Sequence, residues 1–272
     1  MLSKDLSSLC ARGRREVFQP ETVLPENLAR WAPDFEFGEQ HCAGETFTLL
    51  ANALDEEDLE SVRRRASSHI WTNVEAAAVA ADSFEVRWNQ VRRCLKPNCP
   101  DVFVKESNTN LGLHLDFSPD AITLRELVEA YFATERIEDF FCDTCAVRGP
   151  CASSKVVTRW PSVLFLHLKR FRRDDWGVVS KIEDHVLFEE ELVSETLGCV
   201  YDLRAIAVHE GPYEGGHYVS YVRDSAGQWM YVDDANQPVP TTFDAVRQVE
   251  AYLFIFRLRE VTDTSGEGNK RA

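Results

Sequence analysis

The hydrophobic pattern divides the chain into a helical first third and a strand-rich remainder. From Leu24 to about Ala81 apolar residues recur at three- and four-residue steps, as at Phe47, Leu50, Ala51 and Leu54, which predicts a helical layer. Around Phe84 the period drops to two. Phe84, Val86 and Trp88 fall on one side and Glu85, Arg87 and Asn89 on the other, as in a half-buried strand. Thr123-Leu124-Arg125-Glu126 fits a capping box, in which hydroxyl and carboxylate each satisfy a free backbone N–H, and it predicts a helix through Val128 and Phe132. After Pro161, apolar runs at Ser162–Leu168, Asp202–Val208, His217–Val222, Gln228–Val232 and Ala251–Leu258 are separated by Gly, Pro and Asp turns, which predicts an antiparallel sheet. Val261 to Ala272 is polar and small, and is expected to form a disordered tail.

Composition narrows the function classes. The 272 residues are 44% hydrophobic and 11% aromatic, enough for one large buried core or two small ones. Forty-five acidic residues against 30 basic ones give a formal charge of −15, which would repel a phosphate backbone, so nucleic acid is not an expected partner. The runs Arg63-Arg64-Arg65 and Lys169-Arg170-Phe171-Arg172-Arg173 read as solvated element ends rather than nuclear signals. Met1 to Cys10 has no apolar stretch of signal-peptide length and no segment has the run of about 18 apolar residues that a membrane helix needs. An intracellular protein without a membrane partner, cytoplasmic or nuclear, is the expectation.

Eight cysteines, with two close pairs, are too few and too clustered for a secreted disulfide framework. Cys94-x4-Cys99 and Cys142-x2-Cys145 have chelating spacings, and four thiolates from two turns can close a tetrahedral shell around zinc. Ordinary reduced thiols are the alternative, and Cys151 is a spare that could substitute. Cys199, in a strand approach, reads as packing.

The richest stretch for chemistry is His209-Glu210-Gly211-Pro212-Tyr213-Glu214-Gly215-Gly216-His217-Tyr218-Val219-Ser220-Tyr221, followed by Trp229-Met230-Tyr231-Val232-Asp233-Asp234. Two glycines before His217 remove side chains where another backbone could approach. An antiparallel return through Ser225-Ala226-Gly227 would carry Asp233 alongside His217, where a carboxylate fixes the imidazole tautomer and stabilises the imidazolium, as in thiol and hydroxyl proteases. On spacing alone a structural histidine at a strand start and a catalytic base both fit.

Several boxes, in order, resemble the ubiquitin-specific protease family. Gly38-Glu39-Gln40-His41-Cys42-Ala43-Gly44-Glu45-Thr46-Phe47 resembles its Gln-rich helix, with Cys42 at the position of an aspartate. Phe141-Cys142-Asp143-Thr144-Cys145 with Lys155, then Trp160 through Phe171, resembles the second zinc knuckle and a strand ending His-Leu-Lys-Arg-Phe. The Gly-Gly-His-Tyr box, the Trp-x-x-x-Asp-Asp box and Ala251-Tyr252-Leu253-Phe254 complete the series.

The resemblance implies an α+β, papain-like cysteine protease fold with thumb, fingers and palm. Residues 1–83 would be a helical thumb remnant, 84–160 fingers with a zinc ribbon and short helix, 161–260 an antiparallel palm, and 261–272 the tail. It further implies that the domain grips ubiquitin or ubiquitinated proteins and, in the complete enzyme, hydrolyses the isopeptide bond at ubiquitin's C-terminal glycine. His217 would be the general base, Asp233 the third triad member and Asp234 its assistant. His209, Gly215, Gly216 and Tyr218 would line the substrate passage, and Cys94, Cys99, Cys142 and Cys145 would hold structural zinc.

The family's first box, Gly-x-x-Asn-x-Gly-Asn-Thr-Cys, supplies the nucleophile and oxyanion donor, and no such run precedes Gly38. Cys10 has no glycine or asparagine around it and reads as a small buried helix residue, and Cys42 offers no substitute nucleophile. Without a thiol to deprotonate, the chain alone is expected to be silent. The readings are then a catalytic domain lacking its nucleophile segment, a non-catalytic ubiquitin-binding adaptor, or an unrelated zinc-stabilised scaffold.

Overall fold

The structure, a computed structural model, describes residues 41–66, 83–100, 102–118, 121–213, 215–234 and 236–259. The expected tail, Cys10 and the rest of the expected helical layer lie outside these residues.

Two antiparallel sheets organise the chain. The smaller has the order β2-β1-β5-β4, from β1 (Glu85–Cys94), β2 (Val102–Leu111), β4 (Glu135–Cys142) and β5 (Val147–Arg159). Its strands alternate weakly, because much of the ribbon is wet on both faces. Near its base Val86 and Trp88 are buried as the period-two pattern requires.

The larger sheet runs β13-β12-β11-β10-β14-β6-β3, with β9 on the side of β10. Its strands are β3 (Leu113–Leu115), β6 (Val163–Leu168), β9 (Glu191–Val193), β10 (Val200–Glu210), β11 (His217–Arg223), β12 (Trp229–Val232), β13 (Val239–Thr241) and β14 (Ala251–Leu258). Among the described strands of this sheet, β3 lies parallel to its neighbour, β6, and the other pairs are antiparallel. Gly112 makes the transfer from β2 into β3 possible: its φ is +71°, and a Cβ there would stand 2.3 Å from the Phe165 carbonyl oxygen.

The two faces of this sheet bury different sets of residues. On β6, Leu164, Leu166 and Leu168 join Leu203, Ile206, Phe254 and Phe256 in the main core. Against that face packs α2 (Leu124–Phe132), through Leu124, Leu127 and Val128. Its capping box is present: Glu126 N–H donates to Thr123 Oγ1 at 3.2 Å, and Thr123 N–H to Glu126 Oε2 at 2.8 Å. On the other face Phe165, Tyr252 and Leu253 form a smaller cluster that receives α1 (Ala43–Ala66), whose Phe47 ring stacks on Phe165 with centroids 3.9 Å apart. Each fully buried side chain of this kind contributes roughly 1.5–3 kcal/mol to seating these helices.

A separate hairpin, β7 (Phe171–Arg173) with β8 (Val179–Lys181), stands at the end of β6. Arg170 anchors its base: fully buried, it donates to the carbonyls of Ala251, Ile182 and Asp184, each at 2.9 Å. Among the described residues no helix is long and apolar enough to cross a membrane.

Candidate active site

The β11–β12 hairpin sets the spacing that matters. Asp224 holds its turn, accepting from the N–H groups of Ala226 and Gln228 at 2.9 and 2.8 Å, and Ser220 pairs with Val232. Continuing that register by one residue sets Asp233 across from Val219, on the same face as His217 and diagonal to it, within reach of a long side chain. His217 Nε2–H donates to Asp233 Oδ1 at 2.7 Å. Asn236 Nδ2 donates to the other carboxylate oxygen at 3.1 Å, so Asp233 is itself oriented. With Nε2 engaged, Nδ1 is the nitrogen left to take a proton.

Charge supports that assignment of atoms. The Asp233 hydrogen bond raises the His217 pKa above the ordinary imidazole value; desolvation opposes it, and the charges of Asp234, Asp233 and Glu210 add to the rise. Asp234 lies close by, with an oxygen within 4.8 Å of the His217 and Asp233 polar atoms. It takes the left-handed turn at φ +45°, which a short polar residue tolerates, and acts through its charge.

Beside this pair a cavity of about 800 Å³ opens between the start of α1 and the larger sheet, lined among others by Glu45, His167, His209, Gly216, Tyr218 and Tyr252. His209 is 6% exposed, and its ring is held edge-on by Tyr218 and Phe171 at centroid distances of 4.8 and 5.2 Å. Burial, and secondarily Lys181, lower its pKa and keep it neutral. The two glycines differ from the sequence reading, which expected backbone to approach both. A Cβ at Gly216 would lie 2.0 Å from His209 Nε2 and 2.6 Å from the Glu210 carbonyl oxygen, whereas Gly215 has open space. Gly216 is therefore required chiefly by a histidine side chain. Tyr218 ties the sheet to α1, its hydroxyl accepting from Ala43 N–H at 3.4 Å.

One pair escaped the sequence reading. His114 and His167 stand in register on parallel β3 and β6, with their Nδ1 atoms 2.9 Å apart. Burial, followed by the charges of His114 and Lys169, pushes the His167 pKa down to about 4, and burial also lowers that of His114. Both rings are neutral near pH 7. A 53-residue separation on parallel strands leaves no local signal in the sequence.

At the far end of the smaller sheet Cys94, Cys99, Cys142 and Cys145 converge, with their sulfurs all within 4.8 Å of one another. Cys94 ends β1 and Cys142 ends β4. Each is followed by a tight turn containing a left-handed non-glycine residue, Asn98 at φ +64° and Ala146 at φ +50°. Sγ atoms of Cys94 and Cys145 are 3.9 Å apart, and those of Cys99 and Cys142 3.7 Å. A tetrahedral zinc with bonds of about 2.3 Å to sulfur needs sulfur–sulfur edges of about 3.8 Å. The donor set fits the ion in number, softness and spacing.

The thiols also share charge unequally. The Lys96 N–H holds Cys94 below the ordinary thiol range. At Cys142 the Cys145 N–H favours the thiolate, but burial and the neighbouring thiols of Cys99 and Cys145 outweigh it and push the group up to about 12. Four thiolates this close require a cation between them. Cys151 is fully buried opposite Cys94 on β5, outside the four-sulfur group.

A histidine oriented by a carboxylate at the mouth of a cleft has the geometry that the base half of a thiol or hydroxyl protease requires. The chain matches the ubiquitin carboxyl-terminal hydrolase family over residues 2–256 and belongs to it. Among curated relatives, ubiquitin carboxyl-terminal hydrolase 44 of Ailuropoda melanoleuca is 30% identical over 171 residues, 53% of this chain and 24% of the relative. Ubiquitin carboxyl-terminal hydrolase 2 of Rattus norvegicus is 35% identical over 125 residues, 43% of this chain and 20% of the relative. The matched part is thus a quarter or less of these relatives' length.

Solved structures share the fold. A chain of the SAGA DUB module Ubp8/Sgf11/Sus1/Sgf73 bound to monoubiquitin superposes with a TM-score of 0.66 at 22% identity, covering 81% of this chain and 49% of that one. A chain of the yeast SAGA DUB module with an Sgf73 mutant gives a TM-score of 0.67 at 20% identity, covering 95% and 63%.

Proposed function

We propose that residues 1–272 form the base-bearing, ubiquitin-gripping part of a cysteine-type deubiquitinase that cleaves the isopeptide bond at ubiquitin's C-terminal glycine. The observation that carries this reading is the 2.7 Å bond from His217 Nε2 to Asp233 Oδ1 beside a cleft lined by His209, Gly216 and Tyr218. Family membership and the relatives' names support the activity.

His217 Nδ1 accepts the proton of the attacking thiol and later returns it to the leaving amine, while Asp233 holds the ring and stabilises the imidazolium. Asp234 adds field to the same imidazole. His209, Tyr218 and Gly216 shape the passage for a narrow peptide tail, and Glu45 offers that tail's arginines a counter-charge. Cys94, Cys99, Cys142 and Cys145 would hold zinc, which when bound cross-links the two turns of the ribbon and takes no part in the chemistry.

Since the 272 residues contain no Asn-Thr-Cys box, the thiol comes from outside them and this chain alone binds without turning over. Calorimetry with ubiquitin checks the binding, and an electrophilic ubiquitin probe checks the silence. Binding without covalent capture is expected; capture by the chain itself, or no binding, contradicts the proposal. Supplying the Asn-Thr-Cys box separates the enzyme from an adaptor, for which it would restore no capture.

A further inference from the structure

Among the described residues a fully buried thiol, Cys151, belongs neither to the ribbon cluster nor to the proposed reaction. It stands on β5 directly across from Cys94, the last residue of β1. Residues paired in this way send their side chains to the same face of a sheet. Backbone hydrogen bonding also sets how closely they approach. Leu95 N–H donates to the Pro150 carbonyl at 3.0 Å, so Leu95 and Pro150 form a hydrogen-bonded pair, and the next pair inward, Cys94 with Cys151, is a non-hydrogen-bonded one. Such pairs hold their Cα atoms about 4.5 Å apart, within the range of about 4.4–6.8 Å that a disulfide spans.

We propose that Cys94 and Cys151 form an oxidation site, at which peroxide closes a cross-strand disulfide once the ribbon has given up its zinc. Cys94 also faces Cys145 at 3.9 Å, but Cys145 sits in the turn after β4, which passes through Ala146 at φ +50° and relaxes when no ion holds it. The register of β1 on β5 does not depend on that turn. It runs from Arg87 to Cys94, and Gln90 Nε2 reinforces it by donating to Ser153 Oγ at 2.7 Å and to the Ser154 carbonyl at 3.3 Å. In the reaction the Cys94 thiolate attacks a peroxide oxygen, the O–O bond breaks, and Cys94 becomes a sulfenic acid as water leaves. The Cys151 sulfur then attacks the Cys94 sulfur, the S–O bond breaks, and the hydroxyl departs as a second water with the proton of the Cys151 thiol. Two thiols are oxidised to one disulfide, and one peroxide is reduced to two waters. Cys94 is thereby withdrawn from the donor set, and the three thiols left cannot close a tetrahedral shell of their own.

The effect on zinc rests on the ribbon reading proposed above, whereas the disulfide itself rests on the strand register. The test treats the whole chain with hydrogen peroxide, zinc-loaded and after chelation, and maps disulfides by mass spectrometry without reduction. In the chelated chain Cys94–Cys151 should be the principal cross-link, and the zinc-loaded chain should form it at least roughly tenfold more slowly. The oxidised chain should bind zinc at least roughly tenfold more weakly than the same chain after reduction. Reduced Cys151→Ser and Cys151→Ala should hold zinc as the wild type does. Cys94 joined chiefly to Cys145, or loss of zinc from both Cys151 variants, overturns the site. A wild-type chain that takes up no zinc yet closes the Cys94–Cys151 bond overturns the ribbon reading and leaves the oxidation site standing.

Discussion

The larger sheet and the tip of the smaller one are held by different forces. In the first, Tyr201, Leu203, Phe254 and Phe256 are almost wholly buried in a core that continues into α2. In the second, Glu135, Arg136, Glu138 and Asp139 on β4 are exposed, and the buried residues around them are three thiols, Cys94, Cys142 and Cys151, and Ser153. Packing organises one region, and a cluster of four thiols that could hold a metal the other. Hydrophobic burial is tolerant and cooperative, whereas a four-thiol cross-link is strong but depends on a single ion.

The largest effect expected from this contrast is selective. Chelation, or Cys142→Ser, should release about one zinc per chain and abolish hydrogen-exchange protection at the Cys94 and Cys142 turns, while protection of β10 and β14 persists. Loss of protection in both sheets together would mean that they do not differ in this way. Next in size, Phe254→Ala should lower global stability by about 3–5 kcal/mol in urea titration, since it opens a cavity in the centre of the core. Zinc retention should be unchanged by that substitution.

A smaller effect concerns acid. The folded His167 pKa, about 4, lies below the unfolded value of about 6.5, so the unfolded chain binds the extra proton first. The stabilisation is complete above pH 6.5 and is lost as the pH falls toward 4, by about 2 kcal/mol at this partly exposed site. The groups facing the ring are His114, Lys169, Tyr252 and the backbone of Gly44. His167→Gln should flatten the pH dependence of the urea midpoint over that interval. Smallest is Thr123→Ala, which removes the cap of α2 and should cost about 1 kcal/mol without affecting zinc.

The same contrast explains what could be read from the sequence. β10 alternates over most of its length, whereas β6 and β14 are buried on both faces and are announced by near-continuous apolar runs, and α2 is announced by Thr123 and Glu126. β4 buries only Cys142, and its register comes from pairing with β5, which itself pairs with β1, rather than from any hydrophobic period. The contact between His217 and Asp233 was legible because a short hairpin joins them, as was that between the two cysteine pairs, because chelation has its own spacing. The His114–His167 contact, and the fact that Gly216 makes room for His209, depend on how distant strands are aligned, and neither leaves a local pattern.

The central claim is that the tail of ubiquitin reaches the imidazole of His217. Its most direct test is the imidazole NMR signal of that residue in this chain, titrated with intact ubiquitin and with ubiquitin lacking its two C-terminal glycines. Intact ubiquitin should shift the signal and the truncated form should leave it in place while still binding. An unmoved signal with intact ubiquitin, or the same shift with both, would contradict the account.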